Sequence, residues 1–209
     1  MRNYADQQKL ILSQIQDKFC QRRDFSGCNL SEIDLGAVDL SNVNLSGADL
    51  HGTNLRGAVL TGANLSGANL TQATLQEANL INANLTYANL CGAFLWRSQC
   101  NGSNFWGASL CDVDLREADL SAATLIEASL VEANLVRANF TKAKLCGAVF
   151  LEANLNEANL TGADLSWADL TKANLSNANL WEAKIIYAKL RDTIMPDGTI
   201  RNPQIVIFD

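Results

Sequence analysis

The stretch of sequence that decides the fold is TGANLSGANL, residues 61–70. It holds two copies of a unit made of alanine, asparagine, leucine and two small or polar residues, and this unit recurs along most of the chain. We call the leucine position of each unit its centre and number the flanking positions −2, −1, +1 and +2. Every fifth residue from 25 to 190 is such a centre, and 28 of these 34 centres are leucine.

Neither a regular helix nor a regular strand buries a pattern that repeats every five residues. Such a step rotates about 500° around an α-helix, and on a flat strand it places successive leucines on alternate faces. Burial is achieved if each unit is a short extended piece followed by a corner, with positions −2 and 0 inward and −1 outward. Eleven of the 13 glycines lie at position +2, where a corner with positive φ favours glycine. Four such units close a square, which predicts a coil of 20 residues.

A coil of this length predicts columns of residues 20 apart, stacked at about the 4.8 Å spacing of paired strands. One such column alternates in charge and consists of Glu77, Arg97, Glu117, Arg137 and Glu157. A second column is predicted to form a ladder of amides and consists of Asn44, Asn64, Asn84 and Asn104.

With this A-[ND]-L-x-x unit, the sequence resembles the pentapeptide-repeat family over residues 25–190. The segments RDFSG (23–27) and IMPDGT (194–199) resemble the ends of cyanobacterial members. The resemblance implies an all-β solenoid, a right-handed quadrilateral β-helix of about 8 coils at 20 residues each.

The chain is predicted to have three parts: an N-terminal capping helix over residues 1–22, the β-helix over 23–192, and a C-terminal turn with an apolar tail over 193–209. Ile11, Ile15 and Phe19 fall on one face of the predicted helix, which would cover the open edge of the first coil. The tail, residues 205–208, is apolar and would fold over or pair with the last coil.

The composition favours a folded protein that does not bind nucleic acid directly. Of the 209 residues, 48% are apolar and 18% charged, and the formal net charge is −6. Such a chain lacks the basic surface that tracks phosphates. No apolar run approaches the roughly 20 residues that span a bilayer, and the N-terminus lacks the apolar core of a secretory signal. We therefore expect a cytoplasmic protein with no membrane contact.

Residues that carry catalysis or bind metal are not indicated. The six cysteines include no close CxxC pair, which disfavours a zinc knuckle or a disulfide framework. The single histidine, His51, follows a centre and points outward without a second imidazole nearby. The serines and threonines have no histidine and carboxylate at a spacing suited to nucleophilic catalysis. We expect no enzyme activity, no catalytic residue, no cofactor and no metal.

A candidate protein-binding surface lies on the face whose centres begin with Phe25, which we call face 1. This face has no net charge and carries large apolar residues at its corner positions. They are Tyr87, Trp106, Ile126, Trp167, Ile186 and Tyr187. Charge depletion with aromatic enrichment is typical of interface cores, whereas scattered exposed apolar residues are ordinary surface. Both interpretations stay open, and self-association through this face is one form of the first.

The next face, whose centres begin with Leu30, carries an acidic column made of Asp112, Glu132 and Glu152. It is either a solvated acidic edge or a contact for a cationic partner.

The favoured function is that of a protein-interaction scaffold or regulator, a rigid rod with flat binding faces and an unknown protein partner. The alternative is a DNA mimic that binds a type II topoisomerase (gyrase) or another DNA-binding protein, as some members of the resembled family do. Mimicry requires negative charge spread along the rod, and a neutral face disfavours it.

Overall fold

The computed structural model describes Ser13, Ile15 and residues 23–201 of the chain. Within these residues the backbone forms a stack of coils. Parallel bridges join each −1 position to the residue 20 further along, from Asp24 with Asn44 to Asn174 with Ile194. The predicted coil of 20 residues is therefore confirmed, and the stack continues without a shift in register.

Backbone hydrogen bonds hold each coil to its neighbours and close each corner. The N–H of Leu45 donates to the carbonyl of Asn64 in the next coil at 2.7 Å, and the N–H of Asn64 donates back to Val43 at 2.9 Å. The N–H of Ala48 donates to Leu45 at 3.0 Å, which closes a four-residue turn. The same bonds recur along the rod, so each side is a short parallel ladder.

The asparagines and aspartates at position −1 satisfy the one backbone donor that these bonds leave over. The N–H at position +1 donates to the side-chain oxygen at −1, as Ser66 does to Asn64 at 3.2 Å. The side-chain amide of Asn64 in turn donates to Asn44 at 3.1 Å, and that of Asn84 donates to Asn64 at 3.1 Å. The amide ladder is confirmed from Asn44 to Asn84.

Every corner is left-handed at position +2. φ at all 34 of these positions, from Gly27 to Asp192, lies between 54° and 68°, and 23 of the residues are not glycine. Valine, isoleucine and threonine never occur at position +2, whereas they occupy 11 of the 34 positions at +1. Because β-branched residues tolerate a positive φ poorly, this exclusion marks the corner more completely than glycine does.

The core consists of the residues at the centres and at position −2. The centres from Phe25 to Leu175 are almost completely buried, as are most of the alanines that precede them. Phe140 and Phe150 belong to opposite sides of the square, and their rings meet edge to face with centroids 6.4 Å apart. Side chains from opposite sides therefore touch and fill the interior.

At the C-terminal end a short hairpin continues the stack. Strand β1 (Thr193–Ile194) pairs antiparallel with strand β2 (Ile200–Arg201). Met195 is buried like a centre, and the N–H of Asn177 donates to the carbonyl of Pro196 at 3.0 Å. The solenoid thus extends beyond residue 192, where the sequence pattern predicts its end. The apolar tail at 205–208 lies outside the described residues.

The predicted N-terminal helix falls almost entirely outside the described residues. Ser13 and Ile15 are helical, and Ile15 packs, partly buried, against the hydrophobic core. In the part of the chain that the structure describes, no helix has the length and apolarity needed to cross a membrane.

Candidate protein-binding corner

The coil brings the six predicted contact residues to a single edge of the rod. They occupy positions +1 and +2 after the centres of face 1, and we call this edge the aromatic corner. Tyr87 is 61% exposed, Trp167 62% and Tyr187 71%. Ile186 and Trp106 are also exposed, whereas Ile126 is half-buried.

The aromatic rings of the corner form two stacked pairs. Trp167 and Tyr187 have ring centroids 4.5 Å apart at an interplanar angle of 32°, which confirms the predicted contact. Tyr87 and Trp106 lie 5.4 Å apart at 42°. The Tyr87 ring occupies the space above Gly107, since a Cβ there would meet its Cε1 at 2.5 Å. Glycine at 107 therefore makes room for the first pair.

The two pairs are separate patches rather than one continuous surface. Cys146, Gly147 and Ser166 lie at the corner between them. Three coils separate Trp106 from Trp167, which is about 14 Å at the spacing of paired strands. Beside Trp106 is an open hollow of about 410 Å³, lined by Asn104, Trp106, Thr124, Ile126 and Glu127.

The predicted acidic column stacks on the neighbouring corner, but a cation closes it. Asp112, Glu132 and Glu152 are exposed at successive +2 positions. Lys172 is the next residue of this column, and its Nζ lies 2.7 Å from Glu152. The column is thus neutralised at one end.

The alternating column is confirmed and is made of paired charges. Arg97 lies 2.7 Å from Glu117, and Arg137 lies 2.7 Å from Glu157. The Arg97 guanidinium, which donates to Glu117, is the main cause that lowers the pKa of this carboxyl. These pairs are exposed, so they contribute little to stability but break up the negative charge along their corner.

Two exposed aromatic residues were missed by the sequence reasoning. Trp181 is 70% exposed, and Phe94 is 45% exposed on another side of the rod. Trp181 lies at position +1 of the preceding face, and therefore on the corner that borders face 1 from its other side. Grouping residues by corner instead of by face would have shown it.

Among the described residues, no group of three or more histidine, cysteine or acidic side chains is arranged to hold a metal ion. His51 instead contacts a neighbouring hydroxyl, with its Nδ1 2.8 Å from Thr71 Oγ1.

Comparison with known proteins places this geometry among solenoids. A family profile described as pentapeptide repeats, in 8 copies, matches residues 24–62, 58–97, 98–135, 133–171 and 163–197. No curated protein matches the sequence significantly.

Three solved structures are informative neighbours. HetL, a pentapeptide repeat protein involved in heterocyst differentiation regulation from the cyanobacterium Nostoc sp. strain PCC 7120, is 36% identical; the match covers 87% of this chain and 94% of HetL, with a TM-score of 0.48. QnrB1, a plasmid-mediated fluoroquinolone resistance protein, is 22% identical over 81% of this chain and 94% of its own, with a TM-score of 0.64. Rfr23, a pentapeptide repeat protein from the cyanobacterium Cyanothece 51142, is 34% identical over 54% and 63% of the two chains, with a TM-score of 0.42. Such pentapeptide-repeat neighbours are right-handed quadrilateral β-helices.

Proposed function

Since the chain belongs to the pentapeptide-repeat family, we propose that it is a scaffold or regulator that acts by binding another protein through the aromatic corner. The observation that carries this proposal is the Trp167–Tyr187 pair. Both rings are more than half exposed although they stack on each other at 4.5 Å, and the core beneath them is complete without them.

Prestacked rings on a rigid frame are well suited to binding. Aromatic side chains offer a large contact area with few rotatable bonds, and stacking restricts those bonds before the partner arrives. Tryptophan and tyrosine are also the residues that most often dominate the binding energy of protein interfaces. The corner is poor in charge, because Glu127 is the single charged residue among its +1 and +2 positions from Ser26 to Tyr187.

The charge distribution favours this function over DNA mimicry. A mimic needs an unbroken line of negative charge, whereas Arg97 and Arg137 interrupt one corner and Lys172 closes the acidic column of another. Similarity to QnrB1 concerns the fold alone at 22% identity.

The ends of the rod and its location complete the proposal. Residues 1–22 would cap the first coil, which agrees with the packing of Ile15 against the core. A reduced cytosol suits the cysteines, because the five in the described residues are free.

A paired comparison of double variants tests the proposal. Trp106→Ala with Trp167→Ala removes one aromatic ring from each patch, and Phe94→Ala with Trp181→Ala removes two exposed rings from other parts of the rod. We expect the first variant to lose partner capture from the native host, or self-association in sedimentation, and the second to keep both. Thermal stability should be similar in the two.

Equal capture by both variants would show that the aromatic corner is ordinary surface. Inhibition or protection of gyrase by the unmodified protein at stoichiometric concentration would favour the mimic instead.

A further inference from the structure

The single acidic residue of the aromatic corner lies between its two aromatic pairs. Glu127 is at position +2, in line with Gly107 one coil before it and Gly147 one coil after it. Its side chain lies against Gly147, since a Cβ there would be 3.7 Å from Glu127 Cγ. Both glycines leave the carboxylate open to the corner.

Glu127 also has no internal counter-ion. Within residues 23–201 its carboxylate forms no ion pair, whereas Glu117 and Glu152 each have a cation 2.7 Å away. Lys144, one coil beyond Thr124 on face 1, is exposed and makes no ion pair with Glu127 in this part of the chain. The carboxylate is therefore available to a cation from outside.

The hollow next to Glu127 has the chemistry of a site for a basic side chain. It joins the Trp106 ring, the Glu127 carboxylate and the Asn104 amide. A guanidinium can stack on an indole and donate two hydrogen bonds to a carboxylate at the same time. Arginine fits this combination better than lysine, whose ammonium is more strongly hydrated.

The aromatic pairs set the spacing of the flanking groups. The Tyr87–Trp106 contact lies at the level of Gly107, the Glu127 stem at that of Gly147, and the second pair reaches that of Tyr187. Successive levels are two coils apart, which is about 10 Å at the spacing of paired strands.

From this arrangement we propose, building on the proposed function, that the aromatic corner recognises a protein segment with one arginine between two apolar side chains. The arginine binds Glu127 and Trp106. Each apolar side chain lies about 10 Å from it along the rod and packs on one of the two aromatic pairs. The corner is then a specific recognition site and not only a sticky edge.

A designed peptide tests this chemistry directly. In Leu-Pro-Pro-Arg-Pro-Pro-Leu, the polyproline II helix has three residues per turn and a rise of about 3.1 Å, so the three side chains face one way about 9 Å apart. Binding is followed through the indole N–H signals of the full-length protein by NMR, with each tryptophan assigned by substitution.

We expect saturable shifts at Trp106 and Trp167 but not at Trp181, and binding about fivefold weaker with Glu127→Gln, as suits a partly exposed ion pair. Citrulline in place of arginine, which keeps the shape without the charge, should weaken binding similarly. Glu127→Gln leaves the rings in place, so intact circular dichroism rules out unfolding as the cause.

Unchanged affinity in the Glu127→Gln variant or with the citrulline peptide overturns the inference, as does the absence of any shift at the highest soluble peptide concentration. Neither result decides the proposed function, which depends on partner capture by the double tryptophan variant.

Discussion

Replacing Glu132 in turn by alanine, glycine and valine measures the strain at one left-handed corner. Its φ is 57°, and its side chain is exposed, so the substitutions leave the core unchanged. Alanine serves as the reference, because every variant in the series then lacks the carboxylate and its repulsion within the acidic column.

The expected free energies follow from the backbone. A left-handed conformation costs an L-residue about 1–2 kcal/mol, and glycine avoids this while losing about 0.5–1 kcal/mol of extra chain entropy. The glycine variant is therefore expected to equal the alanine variant or to exceed its stability by up to about 1.5 kcal/mol. Valine belongs at the upper end of the cost of a non-glycine residue at positive φ, so we expect it to be about 1–2 kcal/mol less stable than alanine.

Denaturant titration followed by circular dichroism gives these differences, and each kcal/mol should move the melting temperature by about 2–4 °C for a chain of this size. The matched control is Val131→Ala at position +1, where valine occurs naturally and φ is not positive. Equal stability of the glycine, alanine and valine variants would refute the left-handed corner.

Further predictions concern the core, the pH dependence and a buried thiol. Leu85→Ala should cost about 2–5 kcal/mol through the cavity it leaves, and Asn84→Ala about 1 kcal/mol through lost hydrogen bonds, both measured by denaturant titration. The hydroxyl and the backbone N–H of Ser166 lower the pKa of Asp164 below its ordinary value of 3.8, so the ionised group stabilises the fold above that pH and the stability is lost as the pH falls further; a melting temperature that does not fall below pH 4 contradicts this. Burial raises the pKa of Cys100 to about 12, so at pH 8 a maleimide should label it only after unfolding, and rapid labelling of the folded protein would exclude its place in the core.

The sequence predicted the coil because every unit obeys the same geometry. The five-residue period, together with the need to bury leucine, leaves a square as the simple solution, and the column from Glu77 to Glu157 has the predicted spacing. The bounds were less certain, since Met195 occupies a core position without leucine or the preceding asparagine. Physical burial continued where the consensus had ended.

The candidate site was predicted in position but not in detail. A repeat of fixed length determines which residues share a corner, so the predicted residues do lie in line. It does not determine how far a side chain leans toward the next coil, and this decides that Tyr87 covers Gly107 and that Glu152 pairs with Lys172. The separation into two patches follows from the small residues between them.

The most direct measurement of the central claim is site-specific photocrosslinking in the native host. A photoreactive phenylalanine analogue replaces Trp106 in one protein and Trp181 in another, so that two exposed positions on different corners are compared. We predict a discrete adduct with a protein partner, or with a second copy of the chain, from position 106 and none from position 181. No adduct from position 106, or the same adduct at equal yield from both positions, would contradict binding through the aromatic corner.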